Sequence, residues 1–136
     1  AIVALDSEDN VLLVRQFRHP VGKVLLEIPA GGIDPGEKPE AGAIRELEEE
    51  TGRHARKLER LGGFYSSPGF CTEYLHLFLA TELEKGRRSA DEDEIIEVVP
   101  TPLKEIPNLI ASGAICDAKS IAGFFALFLR LGKSKK

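Results

Sequence analysis

No methionine occurs anywhere in the 136 residues, and the chain opens on alanine, directly in the strand-like run AIVALD. A segment upstream is therefore expected, with residues 1–136 forming one domain that lacks it. Cysteine is scarce. Cys71 and Cys116 are too few for a disulfide framework or a cysteine-rich zinc site, and two reduced thiols fit a cytoplasmic protein. No apolar run approaches the roughly 18 residues a membrane span needs. The first residues also lack the basic, apolar and small-residue order of a signal peptide. There is no excess of positive charge, since 18 Lys and Arg face 22 Asp and Glu for a net charge of −4. A general nucleic-acid or anionic-membrane surface is thereby excluded, but an anionic substrate is not, because bound divalent cations invert the local charge. Internal repeats and low-complexity segments are missing too.

What remains is the composition of an ordinary globular domain, 43% hydrophobic and 29% charged. A chain of this length buries roughly 68% of its unfolded surface. Residues 1–6 and 11–19 read as two β-rich runs across the turn-prone Ser7-Glu8-Asp9-Asn10, the pattern of a hairpin. A third apolar run, Val24 to Ile28, ends at Pro29, and the Gly and Pro of AGGIDPGE forbid regular structure after it. A helix is predicted from Pro39, favoured at the first helical position, to Gly52, suited to the C-terminal cap. Its core stripe is Ile44, Leu47 and Thr51. Gly42 inside it costs about 0.8–1 kcal/mol relative to alanine, which implies close packing at that point.

Strands are predicted near 57–65, 74–83 and 94–100, then helices over 102–111 and 117–131. The last helix carries Ile121, Phe124, Phe125 and Phe128 as its apolar face, and Lys133 to Lys136 read as a solvated tail. The simplest architecture is α/β, a mixed sheet with helices on both faces.

The chemistry concentrates in RELEEETG, residues 45–52. At about 100° per residue, Glu46, Glu49 and Glu50 share one sector of roughly 100°, and Glu48 points away toward solvent. Arg45 precedes Glu49 by four positions and can pair with it. Like charges at i and i+4, such as Glu46 and Glu50, cost an isolated helix about 0.2–0.5 kcal/mol. A solvated acidic face would intersperse lysines. Hard divalent cations, by contrast, want carboxylate oxygens beside substrate phosphates. From the glutamates alone both readings stand.

The preceding loop decides between them. Gly31 lies six residues before Glu37, and Glu37 eight before Arg45, so residues 31–52 carry G-x5-E-x7-R-E-U-x-E-E-x-G, with Leu47 as the bulky aliphatic U. This pattern resembles the signature of the Nudix hydrolases, which split nucleoside diphosphates linked to another group. Arg53 stands where the signature normally closes on an aliphatic residue, a departure expected to affect packing rather than chemistry. GGIDPG is not a phosphate-binding P-loop, because Glu37 follows it in place of lysine. No G-x-S-x-G element supports a serine hydrolase.

The resemblance implies a Nudix-type α/β/α sandwich and a set of roles. Glu46, Glu49 and Glu50 would bind catalytic Mg²⁺, with Mn²⁺ as the alternative, joined by the backbone carbonyl of Ala30. Arg45 would orient a glutamate, and Glu37 would support the loop-to-helix junction. Pro68, fifteen residues past Arg53, together with LEIPAGGIDPGE, VRQFR and DEDEIIEV, is similar to the ADP-ribose pyrophosphatase branch. That branch implies a general base in the acidic loop, best matched by Glu92 and next by Glu94, and substrate contacts at Arg18 and Glu73. It implies conversion of ADP-ribose to AMP and ribose 5-phosphate by a homodimer. Two rivals remain: a relative acting on another nucleoside diphosphate sugar, and a silent nucleotide-sensing domain.

Other candidates read as structural. His76 falls in an apolar strand, and His19 and His54 lack the spaced partners of a zinc site. Phe17, Phe64, Tyr65 and Phe70 are expected mostly in the core.

Overall fold

The computed structural model describes residues 1–86 and 96–133. Strands β1 (Ile2–Ala4), β2 (Asn10–Arg18) and β3 (Lys23–Glu27) lead into helix α1 (Pro39–Thr51). Strands β4 (Arg53–Tyr65), β5 (Tyr74–Lys85) and β6 (Glu97–Pro102) follow, then helices α2 (Ile106–Ala111) and α3 (Ala118–Lys133). They build two three-stranded sheets. One is mixed, in the order β1-β5-β4, with β1 parallel to β5; the other is antiparallel, in the order β3-β2-β6.

The predicted hairpin at the front is only partly present. Its turn forms, with Asp6 Oδ1 accepting the N–H groups of Glu8 and Asn10 at 2.8 Å. Pairing then stops after a single bridge between Leu5 and Val11, and the two strands enter different sheets. β1 finds a longer partner in β5, which the intervening turn residues cannot announce.

Alternation along the strands explains why helices cover both sides. Ile2 and Ala4 pack with Leu12, Phe78 and Ala80 against Ala43 and Leu47 of α1. Val3, Val11, Leu13 and Leu79 point the other way, onto Ile106 of α2 and Phe124 and Leu127 of α3. The α/β/α sandwich read from the sequence is the observed class.

The long helices deviate from the predicted faces by one position. The buried face of α1 is Gly42, Ala43, Leu47 and Glu50, with Ile44 only half-buried. In α3 it is Ser120, Gly123, Phe124 and Leu127, which leaves Phe125 65% exposed. Phe17, Tyr65 and Phe70 are likewise exposed rather than in the core. The predicted helix over 102–111 begins as a 3₁₀ turn at Leu103–Glu105 and becomes α-helical only from Ile106. β6 runs through Pro100 to Pro102, tolerated because β6 is an edge strand.

The boundaries of α1 are as predicted. Pro39 occupies the first turn, and Gly52 adopts φ 66°, its N–H reaching the carbonyl of Glu48. This helix therefore starts and stops where its signature needs it, directly under the 28–38 loop.

Candidate active site

The end of β3, the loop after it and one face of α1 meet at the Ala30–Gly31 peptide. Glu50, only 8% exposed, accepts the N–H of Ala30 at Oε2 over 3.0 Å. Glu46 lies against the next residue. A Cβ built on Gly31 would stand 2.0 Å from the Glu46 carboxyl carbon. Two carboxylates thus flank one peptide unit, and that unit carries the Ala30 carbonyl. Carboxylate and carbonyl oxygens are the donors that hard divalent cations prefer, and the missing Cβ leaves room for the Glu46 carboxylate against the loop. Of the four ligands expected from the sequence, Ala30, Glu46 and Glu50 meet here, while Glu49 is joined to Glu46 through Arg45.

Arg45 organises the adjoining carboxylates. Nη1 donates to Glu46 Oε1 at 2.7 Å and to Glu49 Oε2 at 2.9 Å. Nε and Nη2 each donate to Glu37 at 3.0 Å, and Nη2 also donates to the Gly32 carbonyl at 2.8 Å. One planar guanidinium therefore ties three glutamates and the loop backbone, which no lysine could reproduce. The hydrogen bonds that Arg45 donates to Glu37, and next to Glu46, hold its pKa above its already high ordinary value. Arg45 hydrogen-bonds three signature glutamates, Glu37, Glu46 and Glu49, where the sequence reading expected it to orient one. Glu49 accordingly sits in the arginine network beside the Ala30–Gly31 peptide. Among the described residues, no three His, Cys, Asp or Glu side chains are already gathered as a metal site.

Glu37 also accounts for the helix glycine. A Cβ at Gly42 would come within 2.9 Å of Glu37 Oε2, so the glycine lets the loop carboxylate fold down onto α1. Glu48 departs from expectation. Its side chain is only 12% exposed and is hydrogen-bonded to Nδ1 of His54, on the face away from the loop.

Arg18 reaches the site from β2. Its Nε and Nη2 grip Glu27, the last residue of β3, with the shortest contact 2.6 Å. Glu27 is 1% exposed and also accepts from Lys119 Nζ at 2.6 Å, while Lys119 donates to Asp117 at 2.9 Å. Burial alone would raise the Glu27 pKa, but the hydrogen bonds from Arg18 and Lys119 override it and hold the group below its ordinary value. Sequence reasoning missed Glu27, Asp117 and Lys119. The one available signal was a glutamate closing the apolar run VLLE.

Glu73 lines a cleft of about 330 Å³ together with Glu46, Gly31, Tyr74 and His76. Pro68 is exposed in the turn between β4 and β5. Glu92 and Glu94 lie outside the described residues.

The chain is similar to known proteins in sequence and in fold. The NUDIX domain model matches residues 1–124. An ADP-ribose pyrophosphatase of Bacillus subtilis (strain 168) is 45% identical over 122 residues, covering 88% of this chain and 66% of that protein. A GDP-mannose pyrophosphatase of Yersinia enterocolitica is 40% identical over 133 residues, covering 89% of this chain and 69% of that one. A crystal structure described as ADP compounds hydrolase superposes with a TM-score of 0.88 at 25% identity, over 98% of this chain and 72% of that chain. The chain thus spans about two thirds of the length of these curated relatives. With the family model matching across both sheets and the glutamate helix, the chain belongs to the NUDIX domain family.

Proposed function

We propose that the protein hydrolyses the diphosphate linkage of ADP-ribose, giving AMP and ribose 5-phosphate, and that it needs a divalent cation to do so. The single observation that carries this reading is the Ala30–Gly31 peptide flanked by the carboxylates of Glu50 and Glu46. Those two side chains and the Ala30 carbonyl would hold Mg²⁺, or Mn²⁺, which has similar ligand preferences. A bound cation neutralises the diphosphate, polarises phosphorus and lowers the pKa of a coordinated water.

The chain's own residues do the positioning on which phosphoryl transfer chiefly depends. Arg45 fixes Glu46 and Glu49 relative to the loop. Arg18 supplies a cation for the diphosphate on one side, and Glu73 borders the cleft beside Glu46 on the other. Glu92, with Glu94 second, is the general base of this reading. A homodimer in the cytoplasm is its setting, and the free Cys71 and Cys116 fit a reducing compartment.

A second reading, hydrolysis of another nucleoside diphosphate sugar, is favoured by the similarity to the GDP-mannose pyrophosphatase. The silent sensor is disfavoured, because every signature glutamate is in place. Product analysis over ADP-ribose, GDP-mannose and ADP-glucose separates these readings. ADP-ribose is expected to be turned over at least tenfold more efficiently than the others. Absence of AMP from ADP-ribose would sink the choice.

A further inference from the structure

The N-terminal turn of α3 is built into the loop that carries the site, although nothing in the signature involves it. Ser120, fully buried, accepts the N–H of Ile28 at 2.9 Å through Oγ. Gly123 lets the helix close on the same residue, since a Cβ there would lie 2.9 Å from Ile28 Cδ1. One residue earlier, Glu27 takes Lys119, and two residues later Ala30 reaches Glu50. The α3 turn therefore grips β3 immediately before the peptide that the two carboxylates flank.

Charge makes this junction more than packing. Arg18 Nη2 and Lys119 Nζ both donate to the same oxygen, Oε2 of Glu27, at 2.6 Å. Asp117 holds Lys119 from behind and caps α3 through the N–H of Ser120 at 3.1 Å. Two cations and two anions thus balance in a largely buried cluster. Arg18 is its most open member, with 36% of its side chain exposed. Its Nε and Nη2 are committed to Glu27, so the fork has a fixed orientation.

We propose that Lys119 is a positioning residue for the substrate diphosphate, acting through Glu27 to keep the Arg18 guanidinium oriented toward the site. The role rests on the reading of Arg18 as a diphosphate contact. Without the Lys119 charge, two buried carboxylates share one arginine. Arg18 is then drawn toward both of them, and less of its donor capacity is left for phosphate oxygens. Substrate binding weakens, while the carboxylates at Ala30–Gly31 are untouched.

The test is a double-mutant cycle read as a KM-against-kcat split, run on the full-length protein with ADP-ribose and with GDP-mannose. Lys119→Met is expected to raise KM about tenfold, with kcat and the Mg²⁺ concentration for half-activation changing less than threefold. Arg18→Ala is expected to raise KM at least as much, and adding Lys119→Met to it should change nothing further. Asp117→Asn keeps both cations, the volume and the helix cap. It releases Lys119 from its second carboxylate, so that Glu27 and the Arg18 fork lose their fixed position; the same pattern is expected at about threefold, and it serves if Lys119→Met does not fold. Multiplicative KM effects in the double mutant would show that Lys119 does not act through Arg18, and would overturn the proposal. So would an unchanged KM in both Lys119→Met and Asp117→Asn. Wild-type failure on ADP-ribose with turnover of GDP-mannose sinks only the substrate reading, and the cycle is then decided on GDP-mannose.

Discussion

Gly31→Ala is expected to reduce turnover about a hundredfold or more while leaving the fold intact. The added methyl would stand 2.0–2.3 Å from the carboxyl atoms of Glu46, far inside any real contact, so the carboxylate has to leave its place against Gly31. A misplacement of about 1 Å among catalytic groups costs of the order of 10²-fold. The backbone is not the cause, because Gly31 is not among the glycines with positive φ. Its neighbour provides the control. Gly32 also lacks a positive φ, and a Cβ there would meet nothing within 4 Å, so Gly32→Ala should keep activity within about threefold. Steady-state rates for the pair, with melting curves for both, check the claim. Equal rates for the two variants would mean that the position of Glu46 is irrelevant to the reaction.

Arg45→Met should cost both activity and stability. The guanidinium is 17% exposed and satisfies Glu37, Glu46, Glu49 and the Gly32 carbonyl together. Its removal leaves three carboxylates facing one another and frees the loop. Hydrogen bonds to charged groups contribute about 1.5–3 kcal/mol, so we expect a loss of about 2 kcal/mol, several degrees in Tm. Activity should fall by about 10²-fold, because Glu46, proposed here to hold the cation, loses the donor that fixes it. Arg45→Lys keeps the charge but not the fork, and should recover the stability better than the rate. Added Mg²⁺ should raise the Tm of Arg45→Met, because a cation then takes over the neutralising role. A Tm unaffected by the mutation would contradict the view of Arg45 as the hub of this network.

How much of this was legible in the sequence depended on the distance between cause and effect. The glutamate helix was readable because its caps, its arginine and its three acidic positions all fall within residues 39–52, where one helical period relates them. The loop contact could be inferred only through the spacing of Gly31, Glu37 and Arg45. The reason for Gly42 appeared once Glu37 was seen against it. Other features depend on long-range partners. β1 pairs with β5 some 76 residues away, as Ile2 with Phe78 shows, so the turn at 7–10 could not reveal that the hairpin would be given up. Lys119 and Glu27 are 92 residues apart, and a buried ion pair leaves no local periodicity.

The exposed aromatics fail for a related reason. Phe70 is 90% exposed and Phe125 65%, so being apolar said little about which face each residue would occupy. Glu48 was misplaced because helical phase predicts direction but not the partner waiting there. His54, just beyond the Gly52 cap, folds back to meet it.

The account rests on Glu46 and Glu50 serving as charged ligands around the Ala30–Gly31 peptide, and Glu50→Gln isolates that claim. The amide keeps the size of the side chain and can still accept the Ala30 N–H, so only the negative charge is lost. The decisive measurement is AMP release from ADP-ribose as Mg²⁺ is titrated, for wild type and Glu50→Gln side by side. We predict that wild type depends on Mg²⁺ and that the variant is at least 10²-fold slower at every concentration. A variant rate within threefold of wild type, at the same Mg²⁺ requirement, would contradict the account.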